Sequence, residues 1–254
     1  MSAVRARRGD TELARKALRE NSVWYHTLEL APGVVTPGQV DLREVASRLL
    51  PDDLSGKRAL DVGTFDGFWA FEMERRGARV VAIDVERLEA AEWPSRSRPR
   101  LERAAKEMDI QLGRGFRLAA EALGSEVERV ICNVYDLSAE AIGGPVDLCF
   151  SGAILLHLRD PVGALERIRA ALAPRGELRM MEPVSISLSL RSPRRAAARF
   201  QAASSDFNWW LPNLAALRAW PSAAGFELVR RIAIVRPPSV KRMRQFYAGM
   251  VCSG

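Results

Sequence analysis

Apolar positions along the chain change period repeatedly, and the changes mark an alternating order of strands and helices. Short, mostly apolar runs at Arg58 to Val62, Arg79 to Ile83, Glu128 to Asn133, Val146 to Ser151 and Glu177 to Met181 have the length of buried strands. Helical spacing lies between them. Phe68 to Arg76 is stopped by Gly77, and Leu101 to Leu123 is broken at Gly113 and Gly115 into two pieces. Pro161 to Leu172 begins with a proline, which suits a first turn. Upstream, Thr11 to Glu20 is a short helix capped by Asp10 or Thr11. Gln39 to Leu50 carries Val40, Leu42, Val45, Ala46, Leu49 and Leu50 on one helical face. Downstream, Asn213 to Ala223 is a helix with Asn213 as cap, and Phe226 to Val235 and Arg244 to Val251 are two closing strands.

This order predicts an α/β fold with a mainly parallel, seven-stranded sheet and helices on both faces. The alternation fails between Pro183 and Pro212. An insert there, at about 184–212, would lie over the carboxyl ends of the strands as a substrate cap. Residues 1–50 are then a helical N-terminal segment closing over the site, and residues 51–254 the binding domain that carries the cap.

The turn after the first strand narrows the ligand. It reads Asp61-Val62-Gly63-Thr64-Phe65-Asp66-Gly67, which is D-x-G-x-x-x-G rather than G-x-G-x-x-G. A dinucleotide site needs the tighter spacing to bring backbone against a pyrophosphate. The looser loop, with an acid at its mouth, suits ribose hydroxyls and a charged amino-acid tail without phosphate. S-adenosylmethionine (SAM) has those groups. Asp84 ends the second strand about twenty residues on, where a carboxylate can accept both hydroxyls of a ribose. A helix cap or surface acid is its plain alternative.

Further candidates follow the other strands. Asn133 or Asp136 could meet an adenine, and Asp136 could equally cap a helix near Ser138. Strand four ends at Ser151, and Gly152 opens a loop that reaches His157. His157 and His26 are the two histidines of the chain, and either could take a proton from a hydroxyl as a methyl group arrives. Either could also be a packed structural histidine. Phe207, Asn208, Trp209 and Trp210 could line an acceptor pocket or simply pack the cap.

Composition bounds the rest. The 254 residues carry a formal charge of +7, which admits an RNA partner. Arginine dominates that charge, with lysine only at positions 16, 57, 106 and 241, so a GC-rich coding bias is the simpler source. Cys132, Cys149 and Cys252 have no C-x-x-C spacing and read as reduced thiols of a cytoplasmic protein. Met1 to Arg8 is charged without an apolar stretch behind it, so no secretory signal is expected. No membrane span and no metal-ligand cluster are expected either. Nothing in the sequence sets the number of subunits.

Together these residues resemble a class I SAM-dependent methyltransferase with its Rossmann-like fold, from about Trp24 to Met250. Leu60 to Gly67 resembles the family's first motif, Val81 to Asp84 its acidic ribose motif, and Asp147 to Leu158 its fourth-strand motif. A bacterial branch similar to the tRNA wobble-uridine methyltransferases is nearer still. It shares W-Y-H-T-x-E-L, T-P-G, L-D-V-G-T-x-D-G-F-W-A-F and N-V-Y-D-L with this chain. Gly152 to Pro161 and Trp210 to Phe226 also resemble stretches of the wobble-uridine enzymes. Their carboxymethyl transferases hold a carboxyl group with a Tyr just before the loop histidine, where this chain has Leu156. That departure, and the shorter N-terminus, point to ordinary SAM.

The resemblance implies that Asp61, Gly63, Thr64 and Gly67 bracket the methionine end of SAM and that Asp84 holds the ribose. Asn133 and Val134 would flank the adenine, with Val85 also in the cofactor site and Ser151 beneath the sulfonium. Tyr25 would close over the cofactor, and Trp24, Trp209 and Trp210 would face the acceptor. The expected activity is O-methylation of a small molecule in secondary metabolism. An RNA methyltransferase of the wobble-uridine type, resting on Arg191, Arg194, Arg195 and Arg199, is the second expectation. A SAM-binding module without catalysis is the third.

Overall fold

The computed structural model describes residues 9–240 and 245–254. The charged start, Met1 to Arg8, and Arg244, expected to open the last strand, lie outside the described residues.

Seven strands form the central sheet: β1 (Arg58–Val62), β2 (Arg79–Asp84), β3 (Glu128–Ile131), β4 (Val146–Gly152), β5 (Leu172–Val184), β6 (Leu228–Val235) and β7 (Phe246–Ser253). Their order is 6-7-5-4-1-2-3. Strands β1 to β5 run parallel, whereas β7 pairs antiparallel with both β5 and β6. The order reverses between β1 and β4, where Val62 stands opposite Ser151. A crevice outside the carboxyl ends at such a switch point is where α/β sheets bind ligands.

Helices α1 (Thr11–Glu20), α2 (Phe68–Arg75), α3 (Arg98–Glu107), α4 (Arg114–Leu123), α5 (Pro161–Ala171) and α6 (Leu214–Ala223) accompany the sheet. Two separate apolar cores result. One joins α1, α2, α4 and the N-terminal segment to Ala59, Val80, Leu148 and Phe150. The other joins α5 and α6 to Leu60, Val81, Cys149 and Met180. Neighbouring strand residues alternate between the cores because successive side chains point to opposite faces. Asp10 caps α1 by accepting from Glu12 and Leu13, Pro161 opens α5, and Asn213 caps α6 through Ala216.

Four elements differ from expectation. Only Arg43–Ala46 is helical within Gln39 to Leu50, because Val40 is drawn into an extended bridge with Tyr25 and Thr27. The same apolar side chains are nevertheless buried. β5 begins at Leu172 rather than Glu177, with the Pro174–Gly176 turn absorbed as an irregularity in its pairing with β4. Two short hairpins, Glu29–Ala31 with Val34–Val35 and Ala198–Phe200 with Trp210–Pro212, carry too little periodicity to be read from sequence.

Candidate active site

The loop after β1 is built by glycine and an internal acid. Gly63 turns the chain at φ +72°, and the amides of Gly63 and Thr64 both donate to the Ile83 carbonyl. Ile154 packs over Gly63, where an added Cβ would stand 2.8 Å from its Cδ1. Gly67 caps α2 at φ +94°, a conformation that favours glycine. Asp61 reaches from β1 to accept the Ala70 amide at 3.2 Å, which satisfies an open donor in the first turn of α2.

Three buried polar atoms at this end of the sheet have no hydrogen-bond partner: Asp61 Oδ1, Thr64 Oγ1 and Ser151 Oγ. The Thr64 hydroxyl lies close enough to Asp61 to pull its pKa down, without a well-formed bond. Burial outweighs that pull and raises the Asp61 carboxyl to about 7, against the further lowering effect of His26. Unsatisfied buried groups are costly and uncommon, so three at a switch point make this the candidate site for a polar ligand. An ammonium and hydroxyls of the kind SAM carries fit that donor and acceptor set.

Asp84 faces the same loop. Its Oδ2 accepts from Phe65 N–H at 2.8 Å and its Oδ1 from Val85 N–H at 2.7 Å. Burial raises its pKa despite both bonds. Val85 and Asn133 line one cleft of about 380 Å³ at the carboxyl ends of β2 and β3. Asn133 Oδ1 caps the Tyr135 amide, which leaves its side-chain NH2 for another partner, and Val134 is buried behind it.

The N-terminal segment enters through His26. Asp66 accepts the backbone amides of Tyr25 and His26 at 2.9 and 2.8 Å through Oδ2, and the His26 ring through Oδ1. Tyr25 lies half-buried, edge-on to the rings of His26 and Phe65. Trp24 does not join this set. It is 1 % exposed within the first core, so its expected contact with an acceptor is corrected to a packing role.

The loop after β4 is held from beneath. Glu182, 1 % exposed, accepts the amides of Ile154 and Leu155 at 3.0 and 3.1 Å. Burial raises its pKa to about 8. Ala153 sits at φ +55°, uncommon for a residue with a Cβ. Trp69 stacks on Phe150 and presses against Gly152. Sequence reasoning missed Asp66, Trp69 and Glu182. Only Asp66 left a signal, as a second acid inside the glycine loop.

The cap closes from the other side. His157 Nδ1 bonds the Phe207 carbonyl at 2.9 Å, and burial lowers the imidazole pKa. The Trp209 amide donates to Leu156 O, and its indole N–H to Glu92 O. Trp210 donates from its indole to Arg159 O. Arg96 bonds the carbonyls of Ala202 and Ser205, and Ser97 and Arg100 both hold Asp206. The loop between β2 and α3 thus straps the cap down. Among the described residues no group of three His, Cys, Asp or Glu side chains could hold a metal ion.

A family profile described as a methyltransferase domain matches residues 38–231. The chain belongs to this methyltransferase family. Its sheet order is that of a Rossmann-like class I methyltransferase fold. The tRNA U34 carboxymethyltransferase of Ectopseudomonas mendocina is 28% identical over 183 residues, covering 72% of this methyltransferase and 48% of that protein. That of Pseudoalteromonas translucida is 28% identical over 186 residues, covering 72% and 49%. The chain spans about half the length of these curated relatives. Among solved structures, the N-terminal domain of EvdMO1 with SAH bound superposes at TM-score 0.61 with 16% identity, covering 98% of this chain and 99% of that one. That likeness is one of fold.

Proposed function

We propose that this methyltransferase transfers the methyl group of SAM to a hydroxyl oxygen of a small-molecule acceptor. The observation that carries the reading is the strapped aromatic cap: Trp209 and Trp210 are tied by their indole N–H groups to the Glu92 and Arg159 carbonyls. A roof held in this way suits a compact acceptor more than a folded RNA. The described part of residues 1–50, from residue 9 on, forms the segment that closes the cofactor site, and the insert at 184–212 forms the cap over the binding domain.

When bound, SAM supplies a sulfonium-activated methyl group, so the protein's part is alignment and exclusion of water. Asp61, Gly63, Thr64 and Gly67 hold the amino-acid end, Asp84 the ribose, and Val85, Asn133 and Val134 the adenine. Ser151 lies below the sulfonium, and Tyr25 closes over it. Trp209 and Trp210 orient the acceptor, and His26 or His157 takes the hydroxyl proton. Secondary metabolism is the setting and the cytoplasm the place. Among the described residues no helix is long and apolar enough to cross a membrane.

A second reading, RNA methylation, draws on the tRNA U34 relatives and on Arg191, Arg194, Arg195 and Arg199. Among the described residues these four make no ion pair. A methyl-transfer screen with labelled SAM, offering phenols, alcohols and tRNA anticodon stem-loops at two salt concentrations, separates the readings. Label in a phenol or alcohol is the expected result. Label only in RNA, with binding that weakens steeply with salt, would favour the second reading, and no transfer at all would favour a binding module.

A further inference from the structure

We propose that Asp66 and His26 act as one unit, in which Asp66 fixes the imidazole so that its Nε2 takes the proton of the acceptor hydroxyl. The inference rests on the hydroxyl-directed reading above and chooses between the two histidines.

Asp66 is 1 % exposed and lies in the glycine loop between Thr64 and Gly67, while His26 comes from a segment forty residues earlier. Two backbone N–H groups and the His26 ring nitrogen Nδ1 converge on the Asp66 carboxylate. A carboxylate without its proton only accepts, so the ring nitrogen facing it, Nδ1, carries hydrogen. The other nitrogen, Nε2, is then the one with a lone pair. Among the described residues Nε2 has no hydrogen-bond partner.

The ring has little freedom to turn. Its backbone is clamped on both sides, since the Thr36 hydroxyl donates to the His26 carbonyl at 2.8 Å and a Cβ on Gly38 would stand 2.2 Å from His26 C. The imidazole packs 5.5 Å from the Phe68 ring and 4.8 Å from that of Tyr25. Phe68 opens the helix that leaves the glycine loop, and His26 is close enough to Asp61 to influence its carboxyl. The pair therefore stands beside the glycine loop that follows β1.

His157 lacks these features. Its Nδ1 meets a backbone carbonyl of the cap, with no carboxylate to balance an imidazolium. An orienting acid behind a histidine fixes the tautomer and stabilises the cation that forms, as in hydrolase triads. The step balances as follows. The acceptor oxygen's lone pair forms the O–C bond to the methyl carbon, and the C–S pair leaves on sulfur as a neutral thioether. The hydroxyl proton passes to Nε2 and later to water, while Asp66 keeps its contact with the Nδ1 side of the ring throughout. His26 is the catalytic residue here and Asp66 a positioning residue.

Two histidines in the whole chain make nitrogen NMR of the imidazoles direct. In the protein labelled at histidine, neutral His26 is expected as the Nδ1–H tautomer. Asp66→Asn should mix the tautomers and shift the pH profile of kcat. His26→Asn keeps an amide N–H for Asp66 but has no base. It should lower kcat on a hydroxyl acceptor by about 100-fold or more, with KM and calorimetric SAM affinity within about threefold. An Nε2–H tautomer in the wild type would overturn the proposal without any acceptor being needed. So would a His26→Asn enzyme that methylates hydroxyls at the wild-type kcat. A wild-type enzyme that accepts only substrates lacking a hydroxyl proton would instead sink the function proposed above, whatever the tautomer.

Discussion

The Phe65 amide donates to Asp84 Oδ2 at 2.8 Å, so the acid that ends β2 also fastens the loop that leaves β1. Phe65 holds φ +49°, a conformation uncommon for a bulky residue, and the Asp84 bond helps keep it there. Asp84→Ala therefore removes the proposed ribose acceptor and frees the loop together. SAM affinity, measured by calorimetry, should fall at least about tenfold, since a buried charge-assisted contact is lost. Unchanged affinity would remove Asp84 from the ribose site.

Gly152 has no room for a side chain. An added Cβ would stand 2.5 Å from Trp69 Nε1 and 2.9 Å from its Cδ1, and Trp69 cannot retreat because it stacks on Phe150. Gly152→Ala should cost about 1–3 kcal/mol, the usual penalty of overpacking. Urea unfolding gives that number. A loss below about 0.5 kcal/mol would mean that the β4 end yields more easily than its packing indicates.

Glu182 makes stability depend on pH. Its folded pKa of about 8 lies above the unfolded value of 4.5. Between those values the folded state holds a proton that the unfolded chain has lost. Unfolding free energy therefore falls as pH rises through that window, by at most about 1.4 kcal/mol per pH unit for the one group, and levels off above it. Asp61, raised to about 7 from 3.8, acts in the same direction at slightly lower pH. Glu182→Gln keeps an acceptor for Ile154 and Leu155 and should flatten the decline of the melting temperature between pH 5 and pH 8, to the extent that Glu182 causes it. Parallel curves for variant and wild type would assign the slope elsewhere.

Trp209 links cap and strap through three contacts. Its amide bonds Leu156 O, its indole N–H bonds Glu92 O, and the Arg159 guanidinium lies 4.8 Å above its ring. Trp209→Ala should raise the acceptor KM by about tenfold or more, the order of one lost aromatic contact with its hydrogen bond. SAM affinity measured without acceptor should be unchanged, and any gain in SAM affinity on adding acceptor should be lost. A variant that loses cofactor binding instead would show the cap supporting the lower site.

The parts of this molecule that were legible in sequence are those with a local cause. Strand and helix periods placed the seven strands, and Asp10, Pro161 and Asn213 announced their helix starts. D-x-G-x-x-x-G and Asp84 announced the crevice because glycine and acid spacing is fixed by the turn itself. What stayed hidden depends on contacts distant in sequence. Asp66 meets His26 across forty residues, and Glu182 meets Ile154 across twenty-eight. Trp24 shows the converse error. A tryptophan beside Tyr25 and His26 reads as part of their site, yet it points into the core. Val40 could not be read as extended without knowing that Tyr25 and Thr27 would bond to it.

Asn133 caps Tyr135, Tyr135 donates its hydroxyl to Glu92, and the Glu92 carbonyl holds Trp209. The proposed nucleoside end and the proposed roof over the acceptor thus share a single relay of contacts. Seating one ligand would stiffen the lodging of the other, and thermodynamic reciprocity requires both affinities to rise by the same factor. A cap built for enclosure would then also make donor and acceptor cooperative guests.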